Sequence, residues 1–263
     1  MIKLPIRDYG LMQFRPSRFE VLPMVIKNLL IINALVYLAQ ITLSKEFAFD
    51  DWFALHTWQS QLFKPWQLIT HMFMHGSFSH ILSNMFALWM FGATLENSWG
   101  SKRFLGFYLV CGLGAAFCHL GVLYFENEVM INAFKSISAN DTNSVQIFIT
   151  KYFQAAQDVP YSYNVASQVL ELRLNEATIG ASGAVFGCLA AYAYLFPNTY
   201  LYVYFLIPVK VKWFVLLYAG FEFMEAVRSS AGDNVAHVAH LGGALVGFLL
   251  VYFWNKNNRQ TFY

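Results

Sequence analysis

Charge is what this chain most lacks. Only 12% of its 263 residues are Asp, Glu, Lys or Arg, about half the share of a soluble globular domain, while 57% are hydrophobic and mean hydropathy is +0.44. That shortage excludes a water-facing surface over most of the molecule and points to lipid as the solvent. The net charge of +2 is too small to attract nucleic acid. Cysteine is scarce: Cys111, Cys118 and Cys188 lie in apolar runs with no C-x-x-C pair, which argues against a disulfide framework and reads as three buried thiols. The basic N-terminus has no short apolar core ending at small residues, so no removable signal peptide is expected. Internal repeats are missing too, which weighs against a transporter built on repeat symmetry.

What is present is apolar sequence in membrane-sized lengths. A helix needs about 20 residues to cross the hydrocarbon, and six stretches approach or reach that: 23–44, 78–96, 103–125, 180–196, 211–228 and 235–254. The expected fold is an all-α polytopic membrane bundle of six transmembrane helices over 23–254, with cytoplasmic segments at 1–22 and 255–263. Between the fourth and fifth stretches, Pro197 and Pro208 break any helix, and the intervening tyrosines suit headgroup depth. With the N-terminus inside, the inner segments carry 11 Lys/Arg and the outer ones 6, which sets both termini in the cytoplasm. Glu96 and Arg103 flank the inner turn between the second and third stretches and are expected to pair. The polar stretch at about 126–179, with 6 Asp/Glu against 3 Lys/Arg, reads as an exoplasmic insertion without a core of its own. "VQIFITKYFQAAQ" and "NVASQVLELRL" within it suit short amphipathic helices.

Polar groups inside spans are costly and therefore informative. Ser182 opens the fourth stretch, His240 lies near the start of the sixth, and His80 and Asn84 open the second. In the alternating topology all four fall at the outer depth. His80 and Asn84, spaced i,i+4, share one helix face. Gly183 and Gly187 in the fourth stretch, like Gly243 and Gly247 in the sixth, form small-xxx-small pairs that let two backbones approach in lipid. The fourth and sixth helices are thus expected neighbours. His240 could then act as base to the weakly nucleophilic Ser182, with His80, Asn84 and the Ser182 backbone N–H as oxyanion donors. Glu222 and Glu225 are placed near the end of the fifth stretch. The acid nearest in sequence to His240, Asp233, reads as a helix-start residue, so a Ser–His dyad is expected. His240 is favoured over His237 because only His240 has Gly at +3 and +7; His237 is the alternative, a turn closer to the outer water. No H-E-x-x-H occurs, so the ligands of a zinc protease are missing, and neither metal nor cofactor is expected.

Three segments, "PWQLITHMFMHGSFSHILSNMFALWMFG" (65–92), "GASGAVFG" (180–187) and "AHLGGALVG" (239–247), resemble the rhomboid intramembrane serine proteases. The resemblance implies Ser182 as nucleophile, His240 as general base, and His80 and Asn84 as oxyanion-site residues, with Gly180 of the serine motif beside them. Trp66 and Gln67 stand where the family usually has Trp-Arg. His71 and His75 match further histidines with a structural role. Phe186 stands where some members stack a tyrosine on the imidazole. The expected function is cleavage of transmembrane protein substrates near the outer face of the lipid bilayer, with a bacterial inner membrane as the default setting. The alternative is an inactive relative that binds membrane clients. The sequence assigns no substrate and no oligomeric state.

Overall fold

The computed structural model describes residues 19–153, 159–203, 206–228 and 236–257. Expectations that rest on residues 1–18, on Asp233 or on the tail beyond 257 fall outside them. Helix α1 (Met24–Leu43) starts with backbone N–H groups that no preceding turn can satisfy. The carboxylate of Glu96 accepts from Val25 N and Ile26 N, both at 2.9 Å, and from Ser101 Oγ at 2.6 Å. The expected Glu96–Arg103 pair is therefore corrected. The buried helix end takes the carboxylate, an anion at the positive pole of α1, and Arg103 instead lies over the Trp254 ring at 4.3 Å.

A loop follows, carrying α2 (Phe49–Phe53), α3 (Gln67–Thr70) and a 3₁₀ turn at His71–Phe73. Gln67 is its fully buried anchor. Its amide donates to the carbonyls of Asp51 at 3.1 Å and Leu62 at 3.0 Å, and its Oε1 accepts from Lys64 N at 3.1 Å and His56 N at 3.4 Å. Ser77 then caps α4 (Phe78–Ala87) by accepting from His80 N at 3.1 Å. With a π-turn at Leu88–Gly92 and α5 (Ala93–Trp99), α4 makes the second rod.

Helix α6 (Ser101–Lys135) has 35 residues, about 52 Å of length, well beyond a bilayer core of about 30 Å. It runs ten residues past the expected end at 125. Its last turns pack on α7 (Thr142–Tyr152) and α8 (Tyr163–Leu174) through a separate apolar cluster of Met130, Val145, Phe148, Ile149, Ala166 and Val169. The insertion thus has a small core of its own, which burial of Phe148 and Ile149 requires once α7 and α8 leave the bundle.

The central rod is α9 (Ser182–Leu195), apolar all round and buried at eight of its fourteen positions. A helix without a polar face belongs inside. Beyond it the proline-bounded segment forms an antiparallel hairpin, β1 (Tyr200–Val203) with β2 (Ile207–Lys210), pairing Tyr202 with Pro208. Helix α10 (Val211–Arg228) is peripheral, burying only Val211 and Glu222, and α11 (His237–Asn257) returns along α9. Among the described residues, Met24–Leu43, Ser101–Lys135 and His237–Lys256 are long and apolar enough to cross a membrane.

The α9–α11 crossing is set by glycine. A Cβ at Gly247 would lie 2.6 Å from the Gly187 carbonyl oxygen, and one at Gly243 would overlap the Gly183 carbonyl oxygen. Only backbones stripped of side chains approach this closely.

Candidate active site

Ser182 is the first residue of α9, and two of the three residues before its N-cap, Thr178 and Gly180, are clamped from neighbouring elements. Thr178 exchanges backbone hydrogen bonds with Leu55 at 2.8 and 2.9 Å, and its hydroxyl meets His119 Nε2 at 2.8 Å. Gly180 N donates to the His71 carbonyl at 2.9 Å. Gly180 has φ +129°, and a Cβ there would sit 2.9 Å from His80 Nε2. Both backbone conformation and space therefore demand glycine. Thr178 and Gly180 thus satisfy their backbone N–H groups within the protein although they lie outside any helix.

His240, on the Gly243 face of α11, places Nε2 2.8 Å from Ser182 Oγ. Its Nδ1 lies 2.8 Å from Glu222 Oε2 on α10, and the same oxygen lies 2.7 Å from His237 Nδ1. A carboxylate only accepts. Each Nδ1 therefore carries the proton, and His240 Nε2 presents its lone pair to the serine O–H. Phe186 stacks on the imidazole at 4.4 Å and 5°, so a phenyl ring fills the stacking position. Glu222, His237 and His240 also hold three possible metal-ligand atoms within 4.8 Å of one another. A tetrahedral zinc with ligand bonds of about 2.0–2.1 Å separates its ligands by about 3.3 Å. The observed 2.7 and 2.8 Å are hydrogen-bond separations instead.

The expected site residues come together. Ser182, His240, His80 and Asn84 line one open cleft of about 1240 Å³, with Gly180 against His80. Asn84 is buried, and its Nδ2 has no hydrogen-bond partner among the described residues. The two loop histidines behave differently. His71 donates from Nδ1 to the Gln67 carbonyl at 2.7 Å. The His75 ring nitrogens make no well-formed hydrogen bond among the described residues, only a weak approach to the Phe73 backbone, and the ring packs edge-on against His80 at 5.0 Å. Burial pushes both imidazoles down to about 4, with His80 adding to the effect at His75. Cys111 and Cys188 are buried free thiols and Cys118 is half-buried.

A family profile described as Rhomboid domain matches residues 62–257. The chain belongs to the rhomboid family. Its relatives include "Rhomboid protein 1, mitochondrial" of Saccharomyces cerevisiae, 25% identical over 72% of this chain and 42% of that protein. "Rhomboid protease GluP" of Bacillus subtilis is 25% identical over 70% of this chain and 25% of its own length. "Rhomboid-like protein 11, chloroplastic" of Arabidopsis thaliana is 27% identical over 74% and 54%. The matched region thus spans about half or less of these relatives. Family membership and the long apolar helices make this rhomboid an integral membrane protein with a helical bundle.

The sequence reading of this rhomboid site missed two contributors and one partner. The dyad expected from acids along α11 leaves out Glu222, which reaches His240 from α10. The available signal was depth: the expected alternating topology would put Glu222 at the same outer level as Ser182 and His240. His119 was not singled out, and the partner of Gln67, a set of backbone groups, has no signature in sequence.

Proposed function

We propose that this rhomboid is an intramembrane serine endopeptidase that cleaves transmembrane protein substrates below the outer membrane face. The observation carrying the reading is the 2.8 Å contact between Ser182 Oγ and the acceptor nitrogen of His240. In this mechanism Ser182 Oγ attacks the scissile carbonyl while His240 Nε2 takes its proton. The tetrahedral oxyanion is met by the Ser182 N–H at the start of α9 and by the His80 and Asn84 side chains. His240 returns the proton to the leaving amine, and water then hydrolyses the acyl-enzyme by the same steps.

All six rods cross the membrane in this reading, with both termini on the cytoplasmic side, as the Lys/Arg distribution supports. Helix α9, with 14 residues, is about 21 Å long against a core of about 30 Å. If its C-terminal end reaches the inner interface, Ser182 lies several ångströms beneath the outer one. The cleft passes between Phe86, Met90 and Phe91 of the second rod and Phe214 and Tyr218 of α10. Those apolar walls suit a substrate helix that enters sideways and unwinds. Relatives come from bacteria and organelles alike; we assign a bacterial inner membrane, which cell fractionation tests.

The test is co-reconstitution with tagged single-span reporters. Native protein should yield a fragment cut near the outer face, and Ser182→Ala should yield none while remaining folded. Equal cleavage by both would overturn the proposal, and binding of reporters without any cleavage would make the protein a client-binding relative.

A further inference from the structure

Helix α10 turns most of its surface away from the protein, yet it drives one carboxylate inward. Glu222 is 3% exposed, while Phe221 and Phe223 on either side are 49% and 60% exposed. An acid inside an apolar span is expensive unless it is partnered, and here both partners are imidazoles. We infer that Glu222 is a positioning residue acting through His240, extending the proposed pair to a Ser182–His240–Glu222 relay; the inference rests on the protease reading above.

The imidazole of His240 is fixed on three sides. Phe186 holds its plane, Glu222 takes its Nδ1–H, and Ser182 occupies its Nε2. Without an acceptor at Nδ1, the ring is free to carry its proton on Nε2, where it cannot serve as base. When Nε2 takes the serine proton, the imidazolium faces a carboxylate 2.8 Å away, which favours that charge where it forms. His237 donates to the same Oε2 at 2.7 Å, which pins the carboxylate in place. The rival roles are a mere tether of α10 to α11, and a metal ligand. A tether would act on substrate entry and stability, whereas a positioning residue acts on the chemical step.

The experiment compares native protein, Glu222→Gln and Glu222→Asp in proteoliposomes. It measures kcat and KM on a reporter, the rate of fluorophosphonate labelling at Ser182, and the thermal unfolding midpoint. Gln keeps size and polarity but turns an NH₂ or a neutral oxygen toward the imidazoles. The relay predicts a kcat loss of about 10²-fold or more, KM within about twofold, labelling slowed in parallel, and at least tenfold recovery in Asp over Gln. Gln within about threefold of native kcat, a loss confined to KM, or Asp no better than Gln would each overturn it. Should Gln fail to fold, Asp against native decides: a lower kcat at unchanged KM supports the relay, and an unchanged kcat overturns it. Activity of the native protein restored by zinc after chelation would make the trio a metal site and also overturn it. Native cleavage silenced by Ser182→Ala leaves the protease reading standing whatever Glu222 does; native protein that neither cuts nor labels removes both.

Discussion

Substituting Gly243→Ala tests how the serine and histidine are brought together. The added methyl would overlap the Gly183 carbonyl oxygen, a backbone atom that cannot swing aside. At Gly247, where the approach is looser, the methyl would lie 2.6 Å from Gly187 O against an ordinary contact of at least 3.4 Å. Gly247→Ala would therefore part the two helices by about 0.8 Å, and Gly243→Ala, whose methyl starts closer to backbone, must part them by more, one turn from His240. Such a shift carries the 2.8 Å Ser182–His240 contact beyond hydrogen-bond range. Overpacking costs about 1–3 kcal/mol of stability, and a misplacement of 1 Å costs about 10²-fold in rate. Gly106→Ala on α6, where nothing lies within 4 Å of the new Cβ, is the control and should leave both quantities close to native. The assay is reporter cleavage beside thermal unfolding in the same detergent. Gly243→Ala with native rate and midpoint would refute the claim that bare backbone contact sets the site.

Two further outcomes follow from the loop between α1 and α4. Gln67→Ala strips partners from four backbone groups, one buried and three part-buried, and should lower stability by about 1–3 kcal/mol; an unchanged unfolding midpoint would show that the amide is not the anchor. Acid should also destabilise the fold. His71 and His75 sit at about 4 when folded, below the free value of 6.5, so the unfolded chain takes up protons first as pH falls. Stability present above pH 6.5 should decline progressively toward pH 4, and a midpoint that is flat or rising on acidification would contradict this.

The parts legible in sequence were those carried by spacing along one helix. The glycine pairs on α9 and α11 announced a close crossing because small residues at i,i+4 have one meaning in lipid. His240 could be separated from His237 because its glycines recur on its own face. Contacts between helices were harder. Glu222 and His240 are 18 residues apart on different rods, and no periodicity links them. Glu96 found backbone N–H groups 70 and 71 residues away, donors that every segment possesses and none advertises. The start of α9 at Ser182, two residues after the predicted 180, was invisible to hydropathy, since Gly180 and Ala181 are as apolar as the helix they precede. The prolines excluded a helix at 197–208 but did not reveal the hairpin that replaces it.

The central claim is that His240 makes Ser182 a nucleophile. Its most direct measurement is covalent labelling of the reconstituted protein by a fluorophosphonate, with the modified residue located by mass spectrometry. A single adduct at Ser182 is expected in native protein, with labelling lowered by about 10²-fold or more in folded His240→Ala. No adduct at Ser182 in folded native protein, or equal labelling of the two, would contradict it.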